Sequence, residues 1–352
     1  MRISRIVVIV VVVAVVGLLA LFLYSSLAAP SSSTVWAGGP AYPLQVSGTT
    51  GVVGQSCVNG TATIYCIGGI DYNGASRNNA YSASVSASGM SGWAADVPYP
   101  QTVGLQSCVS HGAYVYCVGG SYDDAGDDIA SSYFAPLTGS GTGSWTSTTP
   151  YPVPTDSQSC VSSSGYIYCV GGANETDGTN ATSLPTNSAW YAQLSSSGIG
   201  RWTQTTAYPQ AVSFPTCAAS STEIFCVGGI DLNNNGVNDV YYASLSSSGI
   251  GQWSSTTAYP IRAYGLSCAI DSGSMFCVGG VPNGTTSSSD AVYSAPVSSS
   301  GAGPWHKAAN YPIGVETACV AVSGNLYCSG GYRDSSSISA ATYYAAVHSL
   351  MG

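Results

Sequence analysis

Charge is what this sequence has least of. Of its 352 residues only 7% are Asp, Glu, Lys or Arg, against about a quarter in ordinary globular domains. Basic side chains number seven, and two of them, Arg2 and Arg5, precede an apolar N-terminal run. The remaining five are scattered and face sixteen acidic residues. A nucleic-acid interface neutralises phosphates with clustered Lys and Arg, so nucleic acid is excluded as a partner. Histidine occurs only at His111, His306 and His348, and the twelve cysteines contain no CxxC. That set supports neither a zinc site nor a dithiol redox centre. No 3.6-residue apolar period competes with short alternating segments, which excludes a helical domain. No acid–base pair, nucleophile motif or phosphate loop stands out, so the chain reads as a non-enzyme.

What is present is apolar and aromatic. The hydrophobic fraction is 45%, with 25 tyrosines, enough for a packed core despite the low charge. The N-terminus, "MRISRIVVIVVVVAVVGLLALFLYSSLAAP", carries an uncharged run from Ile6 to about Tyr24. Residues 1–29 read as a secretory signal, a membrane anchor or a pilin-like helix, and 30–33 as a linker. In each case the arginines stay cytoplasmic and the rest is exported, to the cell surface or beyond. This segment is the only membrane contact expected.

The exported part repeats. Glycine pairs begin at Gly68, Gly119, Gly171, Gly228, Gly279 and Gly330, 51 to 57 residues apart. A tryptophan followed six residues later by Tyr-Pro recurs as Trp36/Tyr42, Trp93/Tyr99, Trp145/Tyr151, Trp202/Tyr208, Trp253/Tyr259 and Trp305/Tyr311. Each unit offers four short strands separated by Ser-Gly-rich turns, as in "SCVSSSGYIYCVGG" and "YYASLSSSGIGQW". In order, these strands hold the first cysteine, the glycine pair, a leading tyrosine and the tryptophan. The arrangement resembles the kelch family over roughly residues 34–350. It departs from the family in its longer tyrosine-to-tryptophan gap, its missing arginine after the fourth strand and its added cysteine pairs. The resemblance implies an all-β fold, a six-bladed β-propeller. Trp36 opens a fourth strand with nothing before it, and the last unit stops after "TYYAAVHS". A ring resolves both ends if the N-terminal strand completes the last blade, leaving no open sheet edge.

Each unit holds two cysteines nine residues apart: Cys57/Cys66, Cys108/Cys117, Cys160/Cys169, Cys217/Cys226, Cys268/Cys277 and Cys319/Cys328. A two-residue turn at Ser164-Gly165 puts Cys160 opposite Cys169 in a non-hydrogen-bonded pair. Cα atoms there are ~4.5 Å apart, within reach of a disulfide. An even cysteine count in an exported chain agrees with six local staples. In the chain-entropy model each contributes roughly 2.7 kcal/mol.

Recognition is expected in the loops after the glycine pairs, which vary in length and chemistry, whereas the other turns ("SSSGIG", "SSSGAG") are monotonous. "DLNNNGVND" matches the first nine positions of a calcium loop. Asp231, Asn233, Asn235, the Val237 carbonyl and Asp239 would be the ligands, with Gly236 at the sharp turn. The twelfth position is Tyr242, not the usual Glu, so a weak extracellular-type site or an ion-free polar loop fits. "YDDAGDD" (Asp123, Asp124, Asp127, Asp128) is a second acidic loop. No cofactor is required, and Ca2+ is the one candidate. Glycan acceptors stand at Asn59, Asn174, Asn180 and Asn283. Two propeller enzyme families offer a contrast. A sialidase-like reading lacks the turn aspartate and an arginine triad, and a galactose-oxidase-like one lacks histidines. The expected function is a cell-surface structural or adhesive protein that partners itself in a filament or layer. The alternative is a module that binds surface glycans or proteins.

Overall fold

The computed structural model describes residues 35–351 apart from 47–48, 87–88, 123–126, 175–182 and 335–336. The N-terminal segment, Asp123, Asp124 and Asn180 therefore lie outside the described residues. Trp36–Gly352 forms one compact unit, and it is a six-bladed β-propeller with almost no helix.

Blade 3 shows how the repeat folds. Its first strand, Ser159–Ser163, pairs with Tyr166–Val170, which pairs with Ala189–Ser195. The outer edge is split in two, Gly198–Ile199 and Thr203–Gln204, with Trp202 in the break. The sequence places the fourth strand from the tryptophan onward. In the structure, pairing starts earlier, at the glycine that ends the Ser-rich turn. The second strands are buried on both faces, which is why they read "YIYCV", "YVYCV" or "MFCV" without alternation. The turn glycines supply positive φ: Ser164 (50°) with Gly165 (83°), Ser272 (50°) with Gly273 (75°), and Ser323 (51°) with Gly324 (76°). Both central residues at positive φ is the type I′ hairpin turn, whose twist suits the flanking strands.

The first strands of blades 1 to 6 are Ser56–Asn59, Ser107–His111, Ser159–Ser163, Thr216–Ala219, Ala263–Asp271 and Glu316–Val322. Each neighbours the next around the axis, and the sixth neighbours the first, so the ring is closed. Closure follows the expected route. Ala37 and Gly38 pair with Tyr344 and Tyr343 as the outer strand of blade 6, in the register that Ala94 and Ala95 take in blade 1.

All twelve cysteines are bridged, each first-strand cysteine to the second strand of its own blade. The bonds are Cys57–Cys66, Cys108–Cys117 and Cys160–Cys169 in blades 1 to 3. Blades 4 to 6 carry Cys217–Cys226, Cys268–Cys277 and Cys319–Cys328. The Cα atoms lie 4.0–4.1 Å apart, closer than the ~4.5 Å of an unbridged pair.

The blades are joined by a recurring set of contacts. The second glycine of every pair donates its N–H to a carbonyl of the next blade. One example is Gly120 to Thr155 at 2.9 Å, and at the seam Gly331 donates to Val52 at 2.7 Å. Such close approach leaves no room for a Cβ, and the φ values of 62° and 103° at Gly119 and Gly120 favour glycine further. Each of the six repeat tryptophans packs edge-on against a buried tyrosine, not of its own unit but of the preceding one. Trp202 meets Tyr151 at 5.0 Å and Trp36 meets Tyr311 at 4.9 Å between ring centroids. The indole N–H of Trp202 donates to Thr149, and that of Trp36 to Ala309. The aromatic richness is thus blade-to-blade packing.

Candidate functional site

One face of the propeller collects the glycine-pair loops, the connections between blades and the mouth of the axial channel. The mouth is a cavity of 260 Å³ lined by the residues that lead into each first cysteine. Three positions before that cysteine stand Gly54, Leu105, Ser157, Phe214, Gly265 and Glu316. The first five have positive φ, between 52° and 64°. Blade 6 instead has a β-bulge between Glu316 and Ala318. Backbone bonds tie part of this rim together: Leu105 N–H to Gly54, Ser157 N–H to Leu105 and Phe214 N–H to Ser157. Glycines make space for the neighbouring blade's side chain. A Cβ at Gly54 would press on Leu105, and one at Gly265 would collide with the Glu316 carboxyl.

Below the rim lies a ring of hydroxyls. Ser56 accepts the Cys108 N–H at 2.9 Å, Ser107 that of Cys160 at 2.9 Å, and Ser159 that of Cys217 at 2.8 Å. Thr216 accepts from Cys268 at 3.2 Å and Ser267 from Cys319 at 2.8 Å. The sixth position is Ala318, so Cys57 has no hydroxyl opposite it. Gln55, Gln106 and Gln158 brace the same level by donating to Ser329, Ile67 and Val118 of the preceding blade.

The two halves of each disulfide stand differently toward this cavity. The first-strand cysteines reach its wall. Their partners Cys66, Cys117, Cys169, Cys226, Cys277 and Cys328 sit one strand further out, buried, and do not line it. With no thiol free, these six are part of the frame and contribute nothing to a binding site. The cysteine pairing read from the sequence therefore locates the staples and not the site.

Glu316 is the one ionisable side chain among the described residues lining this cavity. Protein atoms crowd it closely, although the cavity leaves part of it accessible. That desolvation pushes its carboxyl up to about 7. Tyr264 and Tyr332 stand close enough to feel its charge, and Phe214 packs near Tyr264 at 6.2 Å. A second raised carboxyl, Asp156, lies in the connection into blade 3. Burial first, then the nearby charge of Asp128, pushes it up to about 7. Asp128 accepts a hydrogen bond from Ser183 at 2.9 Å.

The calcium-loop residues divide. Asp231, Asn233 and Asn235 share a tight turn in which Asp231 Oδ1 accepts the N–H groups of Asn233 and Asn235, both at 2.9 Å. The Asn235 bond, ahead of the Asn233 one, holds the Asp231 carboxyl below the usual range. The left-handed residue is Asn234 (φ 59°), not Gly236. The Val237 carbonyl accepts the Ala263 N–H of the next blade at 3.0 Å, and Asp239 accepts from Gln210 at 3.3 Å. The same turn occurs in blade 1, where Asp71 caps Asn73 and Ala75 and pairs with Arg77. Among the described residues no three His, Cys, Asp or Glu cluster as a metal site. Of the sequons, Asn283 is exposed and accepts the Gly236 N–H at 2.9 Å. Asn174 ends a short strand, and Asn59, also exposed, lies at the opposite mouth of the channel.

Sequence reasoning pointed to the loops and missed the axial mouth. Its signal was present as a column: the residue three before each first cysteine is small or apolar five times and Glu once.

Comparison with known proteins adds the fold alone. No family model matches the sequence, and no curated protein matches it. The solved structure of YjhT superposes on 86% of this chain and 95% of its own, with a TM-score of 0.68 at 12% identity.

Proposed function

We propose that this chain is an exported kelch-type propeller that works without catalysis as an adhesive, structural protein of the cell surface, attaching through its variable-loop face. The observation that carries this reading is the asymmetry of the two faces. One repeats nearly the same Ser-Gly turn in blade after blade, while the other sets loops of differing length around an open axial cavity. Variable loops on a rigid repeated frame are the usual site of recognition. The six disulfides agree with an oxidising, extracellular setting.

The ligand class for the loops is surface glycan or protein, and calcium at the Asp231–Asp239 loop is a candidate aid. Self-assembly into a filament or layer is the companion reading, motivated by a surface with little charge to keep copies apart. Glycan and cell-surface arrays, run with calcium and with chelator, test the proposal. Selective attachment that is lost when the glycine-pair loops are exchanged is the expected result. No selective attachment, together with ordered polymers under the electron microscope, would favour assembly and overturn the attachment reading.

A further inference from the structure

Glu316 has no visible reason to be where it is. Protein atoms crowd its carboxyl while the cavity leaves it partly accessible, and the hydration it has lost costs free energy unless hydrogen bonds or an opposite charge replace it. Among the described residues no side chain or backbone N–H hydrogen-bonds its carboxyl, and the one ion pair there, Arg77 with Asp71, belongs to blade 1. The neighbouring blade nonetheless keeps a glycine, Gly265, where any Cβ would strike that carboxyl. The site is therefore shaped around an acid that the protein itself leaves unpaired.

Its surroundings specify the missing partner. The five hydroxyls of Ser56, Ser107, Ser159, Thr216 and Ser267 each accept one Cys N–H, and no described group takes their own hydrogens. Each keeps one lone pair and its own O–H hydrogen on the cavity wall, so the ring can accept or donate, and the Glu316 carboxylate is what favours a cation there. Above them Leu105 and Phe214 form an apolar collar. At 260 Å³ the cavity falls below the ~300–1,000 Å³ of sites for drug-sized ligands and suits a side-chain-sized group. A metal ion would need more anionic oxygens than one carboxylate supplies. A guanidinium wants acceptors in its own plane, whereas an ammonium offers three donors about an axis to acceptors that also ring an axis. The chain's excess of acid, sixteen Asp and Glu against five basic residues beyond the N-terminal run, draws cations rather than anions.

We infer that the axial mouth receives an aliphatic ammonium group, paired with Glu316, held by the hydroxyl ring and gripped along its carbon arm by Leu105 and Phe214. This rests on the loop face being the recognition surface. The ammonium is either a free amine or a lysine side chain of a partner protein.

Isothermal titration calorimetry of the full-length protein with n-butylammonium and with Nα-acetyl-lysine N-methylamide tests the inference. Saturable one-to-one binding of both amines is expected. Neutral 1-butanol and the Nε-acetylated lysine derivative should bind at least tenfold more weakly. Glu316→Gln should lose at least tenfold in affinity, whereas Glu223→Gln, at the start of blade 4's second strand and outside the cavity lining, should not change. Tighter binding of the lysine derivative identifies a protein source, and equal binding a free amine. Equal binding of charged and neutral ligands to the unaltered protein overturns the inference without any variant, as does unchanged affinity in a folded Glu316→Gln. Protein that attaches to cells yet ignores both amines sinks this inference alone. Protein that binds amines through Glu316 but attaches to nothing overturns the adhesive reading and leaves the pocket standing.

Discussion

Ala318 interrupts the hydroxyl ring. Five inter-blade junctions carry a Ser or Thr that takes the next first-strand cysteine N–H, and the seam between blades 6 and 1 does not. Ala318→Ser places a hydroxyl at the position where the other five junctions carry one, beside the β-bulge of blade 6. It should raise stability by ~1 kcal/mol, the net value of one such bond, read as an upward shift in thermal midpoint. A lower midpoint would mean the seam is built differently. Two other residues set the pH response. Glu316 and Asp156 are both pushed up to about 7, from ordinary values of 4.5 and 3.8. Below about pH 3 both are protonated in the folded and the unfolded chain, and the fold loses nothing. As pH rises toward 7 the unfolded chain ionises first, so stability falls through that window and levels off above it. Denaturant titrations at about pH 4.5 and 7.5 should show this fall shrinking in Glu316→Gln and Asp156→Asn, by up to ~2 kcal/mol each. An identical pH dependence in both variants and the unaltered protein would count against the buried carboxyls.

At the scale of the hairpin, the disulfides were legible because a two-residue turn fixes every cross-strand pair after it. Counting outward from Ser164-Gly165 reaches Cys160 opposite Cys169, and the observed register agrees. Removing that staple with Cys160→Ser and Cys169→Ser should cost ~2–3 kcal/mol. The rest of the ring should stay folded, because no other blade shares the bridge. Loss of all structure in circular dichroism would contradict a local staple. The tryptophan and tyrosine were legible as landmarks but not as partners. In sequence Trp202 stands next to Tyr208, yet it packs on Tyr151 of the unit before. A periodic sequence cannot distinguish contacts within a unit from contacts between units, since both recur at the same interval. The glycine pair poses the same problem: its reason is a carbonyl far along the chain, such as Val103 for Gly69. The calcium motif was legible as a pattern of oxygen-bearing residues, but not the hydrogen bonds those residues already make. The structure spends Asp231 on its own turn and the Val237 carbonyl on the next blade.

At the largest scale, the Trp36–Gly352 unit is a ring closed by a two-residue strand, Ala37–Gly38, reinforced at the seam by Gly331 with Val52 and Gln55 with Ser329. Its closure was readable from the two incomplete ends of the repeat, because strands missing at one end and surplus at the other add up to a blade. The axial cavity was not, because it is made by six residues far apart in sequence, each unremarkable alone. Deleting residues 1–38 should leave blade 6 with an unpaired edge, and size-exclusion chromatography should then show oligomers or aggregate. A monomer of unchanged midpoint would argue that this strand does not close the ring. The most direct test of a closed propeller with self-contained blades is mass mapping of its proteolytic peptides without reduction. Six bridges, each joining two cysteines nine residues apart within one repeat, are expected. Bridges between repeats, or free thiols, would contradict it.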